Sequence, residues 1–295
     1  MSALTSHSKI ALVPLERADD VQYREYKILL KPELFAKPSS FHKFWKLVHH
    51  TAKSMKIVMT KPEKPVSLHM REVVFLDTPK FRLYNNSFIL RKRTFYRKGR
   101  PEPNFELVLK LRSPEREAAA AVDVRPLLPC VNTVKFKEEL LPLQKDLGGI
   151  RTIYSHACEL DTPNTILTQS YKTICQVFPA LLRVGARAEA PLQIVNDMVV
   201  DESLANIGVL EFDDRTSAKV TVAVWRDHRT REDLIGEFSF QLKFQRLEEL
   251  RRKPKELSEE FFRKVQRAAE DWVQLGTTKT SLIYRLGKVA VNNNE

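Results

Sequence analysis

The sequence predicts an α+β protein built on one barrel-like domain, with about eight or nine antiparallel strands and helices before, between and after them. Three observations carry this expectation. Period-two alternation of apolar and charged residues recurs between residues 21 and 246. Turn-rich breaks such as KGRPEPN separate consecutive runs. Helical periodicity with capping signals is confined to a few segments, and 295 residues suffice to bury a sizeable core.

In chain order, residues 1–20 read as a loose tail, and VQYREYKILL as a first strand with Tyr23, Glu25 and Lys27 on one face. PSSFHKFWKLVHHTAKSMKIV predicts a helix near 39–56. Ser39 or Ser40 would cap it, Phe41, Phe44, Trp45 and Val48 share its apolar side, and Pro62 and Pro65 close the insertion. Strands dominate from Glu72 to Arg125. In FILRKR, Arg91 and Arg93 share a face; in NFELVLKLR, Glu106, Lys110 and Arg112 oppose Phe105, Leu107, Leu109 and Leu111. Asp77, Thr78 and Pro79 shape a turn.

A helical insertion is expected over 133–178, from KFKEELLPLQKDL up to Pro142 and from TILTQSYKTICQVF. Strands resume with LLRVGARAEA, which puts Arg183 and Arg187 together, then QIVNDMVVDE, NIGVLEFDDR with Glu211 and Asp213, and KVTVAVWRD. In IGEFSFQLKFQR, Phe238, Phe240, Leu242 and Phe244 oppose Glu237, Ser239, Gln241 and Lys243. Residues 247–295 form a helical extension, with Ser258 as an N-cap, Gly276 as a stop and TKTSLIYRLGKV as a last short helix.

The formal net charge of +12 favours an anionic partner such as nucleic acid, a phosphorylated metabolite or an acidic membrane surface. Cys130, Cys158 and Cys175 have neither disulfide-framework nor zinc-ligand spacing, so a reducing, cytoplasmic setting is expected. No apolar run reaches the length of a membrane span, and no glycine-rich phosphate loop, nucleophile elbow or HExxH motif occurs. The polar strand faces have two outcomes. In an open sheet they meet water while the apolar faces pack on helices; in a closed one with helices outside, they line an interior able to hold a ligand.

Several segments together resemble the CYTH family of the triphosphate tunnel metalloenzyme superfamily. Tyr23-Arg24-Glu25-Tyr26-Lys27 is similar to its opening Glu-x-Glu-x-Lys, FLDTPKFRLYNNSFILRKR to its central segment, LVLKLR to its Leu-x-Leu-Lys strand, and EFSFQLKF to its late acidic strand. The resemblance covers, with gaps, residues 21–245. It implies a closed antiparallel β tunnel, of about eight strands, with a polar interior and helices packed outside. It also implies phosphate contacts from Lys27, Arg91, Arg93 and Lys110, with Arg112, Arg183 and Lys243 in addition. Glu25 and Glu237, helped by Asp213, would hold Mg2+ or Mn2+, and Glu25 and Lys27 would act in catalysis. Tyr23, Ser239 and Gln241 depart from the family by standing where carboxylates are expected. Glu106, Glu211 and Asp213 would either compensate or pair with the basic lining.

The implied activity is metal-dependent hydrolysis of inorganic tripolyphosphate or of a triphosphate-bearing organic molecule. The alternative is a polyphosphate- or nucleotide-binding protein with a degenerate metal site and no turnover. A third reading, RNA binding, would use RKRTFYRKGR as a backbone-contacting patch.

Overall fold

The computed structural model describes residues 19–34, 38–61, 68–127, 129–163 and 170–286. Residues 1–18 of the expected tail, the prolines at 62 and 65, and the ends of some expected helices therefore lie outside the described residues. The elements are β1 (Tyr23–Leu30), α1 (Pro38–Ser54), β2 (Val58–Thr60), β3 (Leu68–Asp77), α2 (Arg82–Asn85), β4 (Phe88–Arg97), β5 (Arg100–Ser113) and α3 (Arg116–Ala120). They continue with β6 (Asn132–Leu141), β7 (Arg151–Pro163), α4 (Tyr171–Val177), β8 (Gln193–Glu211), β9 (Ser217–Asp227), β10 (Asp233–Lys243), α5 (Arg252–Ala268) and α6 (Lys279–Arg285).

Ten strands form one sheet in the order β2-β8-β3-β4-β5-β7-β6-β1-β10-β9, and β9 pairs back onto β8. Nine strands thus close into a ring, while short β2 flanks β8 through Val58–Thr60. Closure uses the length of β8: its first part pairs with β3 as far as Ala205, and Val200–Glu211 pair with β9. The expected closed tunnel is present, with nine strands rather than about eight and with one parallel pair, β1 against β6. β1 can join β6 in parallel because four strands and their turns separate the two in sequence.

Alternation decides what each face meets. The outward side chains Tyr26, Ile28, Phe238, Phe240 and Leu242 pack with Phe44 and Val48 of α1 and Phe261, Phe262 and Val265 of α5. On another side Leu90, Leu107, Leu109 and Leu160 pack with Ile174, Phe178 and Leu181. The apolar faces therefore lie under helices, and the polar faces turn inward. At one end the interior is filled by Leu29, Val73, Phe75, Ile89 and Trp225, packed with Ile283 and Tyr284 of α6.

Three sequence expectations are corrected. Residues 133–163 hold β6 and β7, not a helical insertion. Lys, Glu and Leu favour helix, but Phe136, Glu138 and Leu140 alternate with Lys135, Lys137 and Glu139, and the long β6–β7 ladder from Asn132 to Leu141 overrides propensity. LLRVGARAEA is not a strand: Pro179–Val184 form a 3-10 turn ended by Gly185 at φ 65°. Ser258 lies inside α5, where its hydroxyl meets Tyr26 Oη at 2.8 Å instead of capping the helix. Among the described residues no helix is long and apolar enough to cross a membrane.

Candidate functional site

The closed barrel encloses a cavity of about 370 Å³, large enough for a small anionic ligand. Its walls are the alternate positions that the strand faces supply. Glu25 and Lys27 come from β1, Arg91 and Arg93 from β4, and Lys110 and Arg112 from β5. β6 adds Lys135, Lys137 and Glu139, and β10 adds Glu237, Ser239 and Gln241. The segment Thr277–Thr280 at the start of α6 forms part of the lining beside Leu29, Ile89 and Trp225. Ten lysine and arginine side chains line the space against five glutamates, so an anion is the ligand its charge accepts.

Glu139 is the centre of the acidic side. It is fully buried and accepts from Ser155 Oγ at 2.7 Å, Lys110 Nζ at 3.1 Å, Lys27 Nζ at 3.3 Å and Arg112 at 3.4 Å. Burial alone would raise its pKa, but Lys110, Lys27 and Arg112 outweigh it and hold the carboxyl well below the ordinary value. Glu25 follows the same balance: burial opposes ionisation, yet Lys137 at 3.0 Å and Lys27 at 3.1 Å bring it down to about 2. Lys27, against the effect of burial, is raised by Glu139 and Glu25.

Two cations go the other way. Burial, with Arg93 and Arg71 nearby, lowers Arg91 to about 9. Arg91 Nε is buried without a hydrogen-bond partner, and among the described residues no carboxylate pairs with this guanidinium. Burial brings Lys110 down to about 7, because Glu139 only partly offsets it and Arg112, Lys27 and Arg91 add repulsion. Arg93 is tied to Glu106, and Arg71 to Glu202, which also accepts from Trp225 Nε1 at 2.8 Å.

The structure thus brings together Glu25, Lys27, Arg91, Arg93, Lys110, Arg112 and Glu237 of the residues the sequence singled out. It does not bring Arg183, Lys243 or Asp213 to them. Arg183 is exposed on the 3-10 turn outside the ring. Lys243 is exposed at the end of β10, near the Tyr23 ring at 5.9 Å. Asp213 lies beyond the end of β8 and pairs with Arg251 at 2.7 Å. Glu139, Lys137, Glu202 and Lys279 belong to the cavity and were missed, the first two because β6 was read as helix.

The donor set does not fit a resident divalent ion. Glu237 pairs in register with Leu29, four residues along β1 from Glu25, so the two backbone positions are offset by about 13 Å along the strands. Each of those carboxylates is instead held by lysine, Glu25 by Lys137 and Lys27 and Glu237 by Lys279. Opposite Glu25 stands Gln241, and the Lys137 ammonium lies between them, 3.0 Å from Glu25 and 2.7 Å from Gln241 Oε1. Among the described residues no group of three or more His, Cys, Asp and Glu side chains could hold a metal.

No protein-family model matches the chain, and no curated protein matches it. Several solved structures are similar in outline. One is a Hippeastrum protein carrying an adenylyl cyclase name and reported to have a dominant triphosphatase activity, at 12% identity and TM-score 0.44, covering 93% of this chain and 100% of that one. A Bacillus halodurans protein with an adenylate cyclase name has 12% identity and TM-score 0.37, covering 90% of this chain and 98% of its own. An S. pombe RNA triphosphatase has 12% identity and TM-score 0.29, covering 87% of this chain and 84% of its own.

Proposed function

We propose that the tunnel binds the linear triphosphate of tripolyphosphate, or of a triphosphate-bearing organic molecule, and hydrolyses a phosphoanhydride bond within it. The observation that carries this reading is Arg91, a half-buried guanidinium whose buried Nε has no hydrogen-bond partner and which forms no direct ion pair among the described residues, set in a cavity with twice as many cations as carboxylates. A buried donor left without an acceptor is costly, and a phosphate oxygen pair supplies the planar, bidentate partner this fork accepts. Triphosphatase activity is named for two of the similar structures; here the site's own geometry carries the reading, not that likeness.

The chemistry asks mainly for positioning and charge neutralisation. Arg91, Arg93 and Arg112 would spread the charge of the transferring and leaving phosphates. Water would add to the terminal phosphorus, its proton passing to a phosphoryl oxygen, while the anhydride P–O bond breaks. Lys110, with a pKa of about 7, is suited to protonate the leaving oxygen and regain a proton at neutral pH. Glu25, held at about 2, is a poor base; its place is to hold Lys27 and Lys137. The resemblance implies Mg2+ or Mn2+, which the walls leave no resident place for. A reducing, cytoplasmic setting belongs to the same reading, on the spacing of Cys130, Cys158 and Cys175 in the sequence.

The second reading, binding without turnover, is favoured by one observation: the carboxylates at both family metal positions, Glu25 and Glu237, are already neutralised by lysines. Phosphate release from tripolyphosphate and from nucleoside triphosphates, measured beside calorimetric binding, separates the two. Release abolished by Arg91→Ala supports hydrolysis, whereas tight binding with no release leaves the sensor. Absence of both removes the tunnel as a functional site.

A further inference from the structure

We infer that lysine ammonium groups are built into this tunnel as its resident cations, so that triphosphate is held without divalent metal. The inference rests on the triphosphate reading and deepens it. Three lysines share one arrangement. Lys137 Nζ lies 3.0 Å from Glu25 Oε2 and 2.7 Å from Gln241 Oε1. Lys27 Nζ lies 3.1 Å from Glu25 Oε2 and 3.3 Å from Glu139 Oε1. Lys279 Nζ lies 2.7 Å from Glu237 Oε1 and 3.2 Å from Glu202 Oε1. Each ammonium bridges two oxygen donors from two different strands, the kind of donor a hard divalent cation takes.

Two of these cations, Lys137 and Lys279, come from outside the strands that carry their oxygen partners, while Lys27 shares β1 with Glu25. Lys137 stands on β6, in register with Tyr23 of the parallel neighbour β1, and reaches the rung where Glu25 faces Gln241. Lys279 comes from α6, which Tyr284 and Ile283 anchor at the apolar end of the barrel. An ammonium has three donors, so two can hold the protein oxygens while the third is directed at an anion. A tethered cation is already in place when the ligand arrives. A divalent ion, by contrast, would have to expel an ammonium from its paired oxygens in a cavity that is already cation-rich.

The experiment is calorimetric binding of sodium tripolyphosphate to the full chain, once in EDTA and once in millimolar Mg2+, with Mn2+ alone followed by its EPR signal. The expected result is binding in EDTA at least as tight as in Mg2+, and no ordered Mn2+ site. Lys137→Ala, which uncovers the Glu25 and Gln241 oxygens, should weaken binding in EDTA roughly tenfold or more, the loss of one charge-assisted contact. It should also create a Mn2+ site, read as a loss of the free-ion EPR signal, while Lys137→Arg keeps the wild-type pattern. Wild-type binding that appears only with Mg2+ overturns the inference and leaves the triphosphate reading standing. Absence of binding in both buffers removes that reading, and this inference with it. The two wild-type buffers decide the matter even where Lys137→Ala does not fold.

Discussion

The hydroxyl of Tyr284 donates to Asp77 Oδ2 at 3.1 Å, joining the last described helix to the turn that follows β3. The same carboxylate accepts from the backbone N–H groups of Thr78, Leu83 and Tyr84 at 2.6, 2.9 and 2.9 Å. Tyr284 also stacks on Tyr84, with ring centroids 3.9 Å apart. One buried side chain therefore fixes the turn, the short helix α2 and the seat of α6. Because α6 carries Lys279, this structural aspartate acts on the cavity from a distance.

Asp77→Ala leaves three backbone donors and a phenol buried without their acceptor, at a cost of about 1–3 kcal/mol for each group that finds no other. The expected outcome is a loss of several degrees or more in thermal midpoint, with Tyr284→Phe losing less because it removes one donor and leaves the other three satisfied. Equal melting of Asp77→Ala and wild type would show that the turn is held by something else.

Arg91 separates stability from binding. As a half-buried cation in no direct ion pair among the described residues, with burial and the nearby Arg93 and Arg71 disfavouring its charge, it opposes folding of the empty protein, so Arg91→Met should raise the thermal midpoint or leave it unchanged. The same change should weaken tripolyphosphate binding at least tenfold, and Arg91→Lys should fall between, keeping charge but losing the fork. A destabilised Arg91→Met with undiminished binding contradicts the role assigned to this residue.

How far the sequence was legible follows from how each cavity residue is presented. Arg91, Arg93, Lys110 and Arg112 could be read because β4 and β5 alternate strictly across a short turn, so pairing and facing follow from period two. Glu139 and Lys137 could not, since Lys, Glu and Leu in KFKEELL also suit a helix, and what makes β6 a strand is its pairing with β7 and β1. Arg183 was misplaced for the converse reason, as Gly185 at positive φ ends a 3-10 turn where alternation suggested a strand. Lys279 gave no local signal: its place depends on Tyr284 docking against residues some two hundred positions earlier.

Acid should act through the glutamates. Glu25 is lowered to about 2, and Glu139 and Glu202 lie well below the ordinary value, each against the opposing effect of burial. A depressed carboxyl pKa means that the unfolded chain binds protons first. The stability from these groups is therefore present above about pH 4.5 and is lost as pH falls toward 2. Chemical denaturation between pH 6 and 3 should show that decline, and Glu139→Gln should shrink it. A flat profile would mean that these pairs contribute nothing net.

Lys110 sets the behaviour above neutrality. Its folded-state pKa of about 7 lies below the ordinary 10.5, so between those values the unfolded chain carries the proton that the folded chain has released, and this group's contribution to stability rises with pH. Binding has the opposite sign. A polyanion favours the protonated ammonium, so affinity is full below pH 7 and falls above it, by up to tenfold per unit while the complex keeps the proton. Calorimetry in buffers of different ionisation enthalpy should register proton uptake on binding at pH 8, and Lys110→Gln should abolish the portion due to this residue. The ligand's own titration is common to both proteins and cancels in their affinity ratio. A ratio that stays constant from pH 6 to 9 would show that Lys110 neither gains nor holds a proton against the bound anion, and the acid role given to it in the leaving step would go with it.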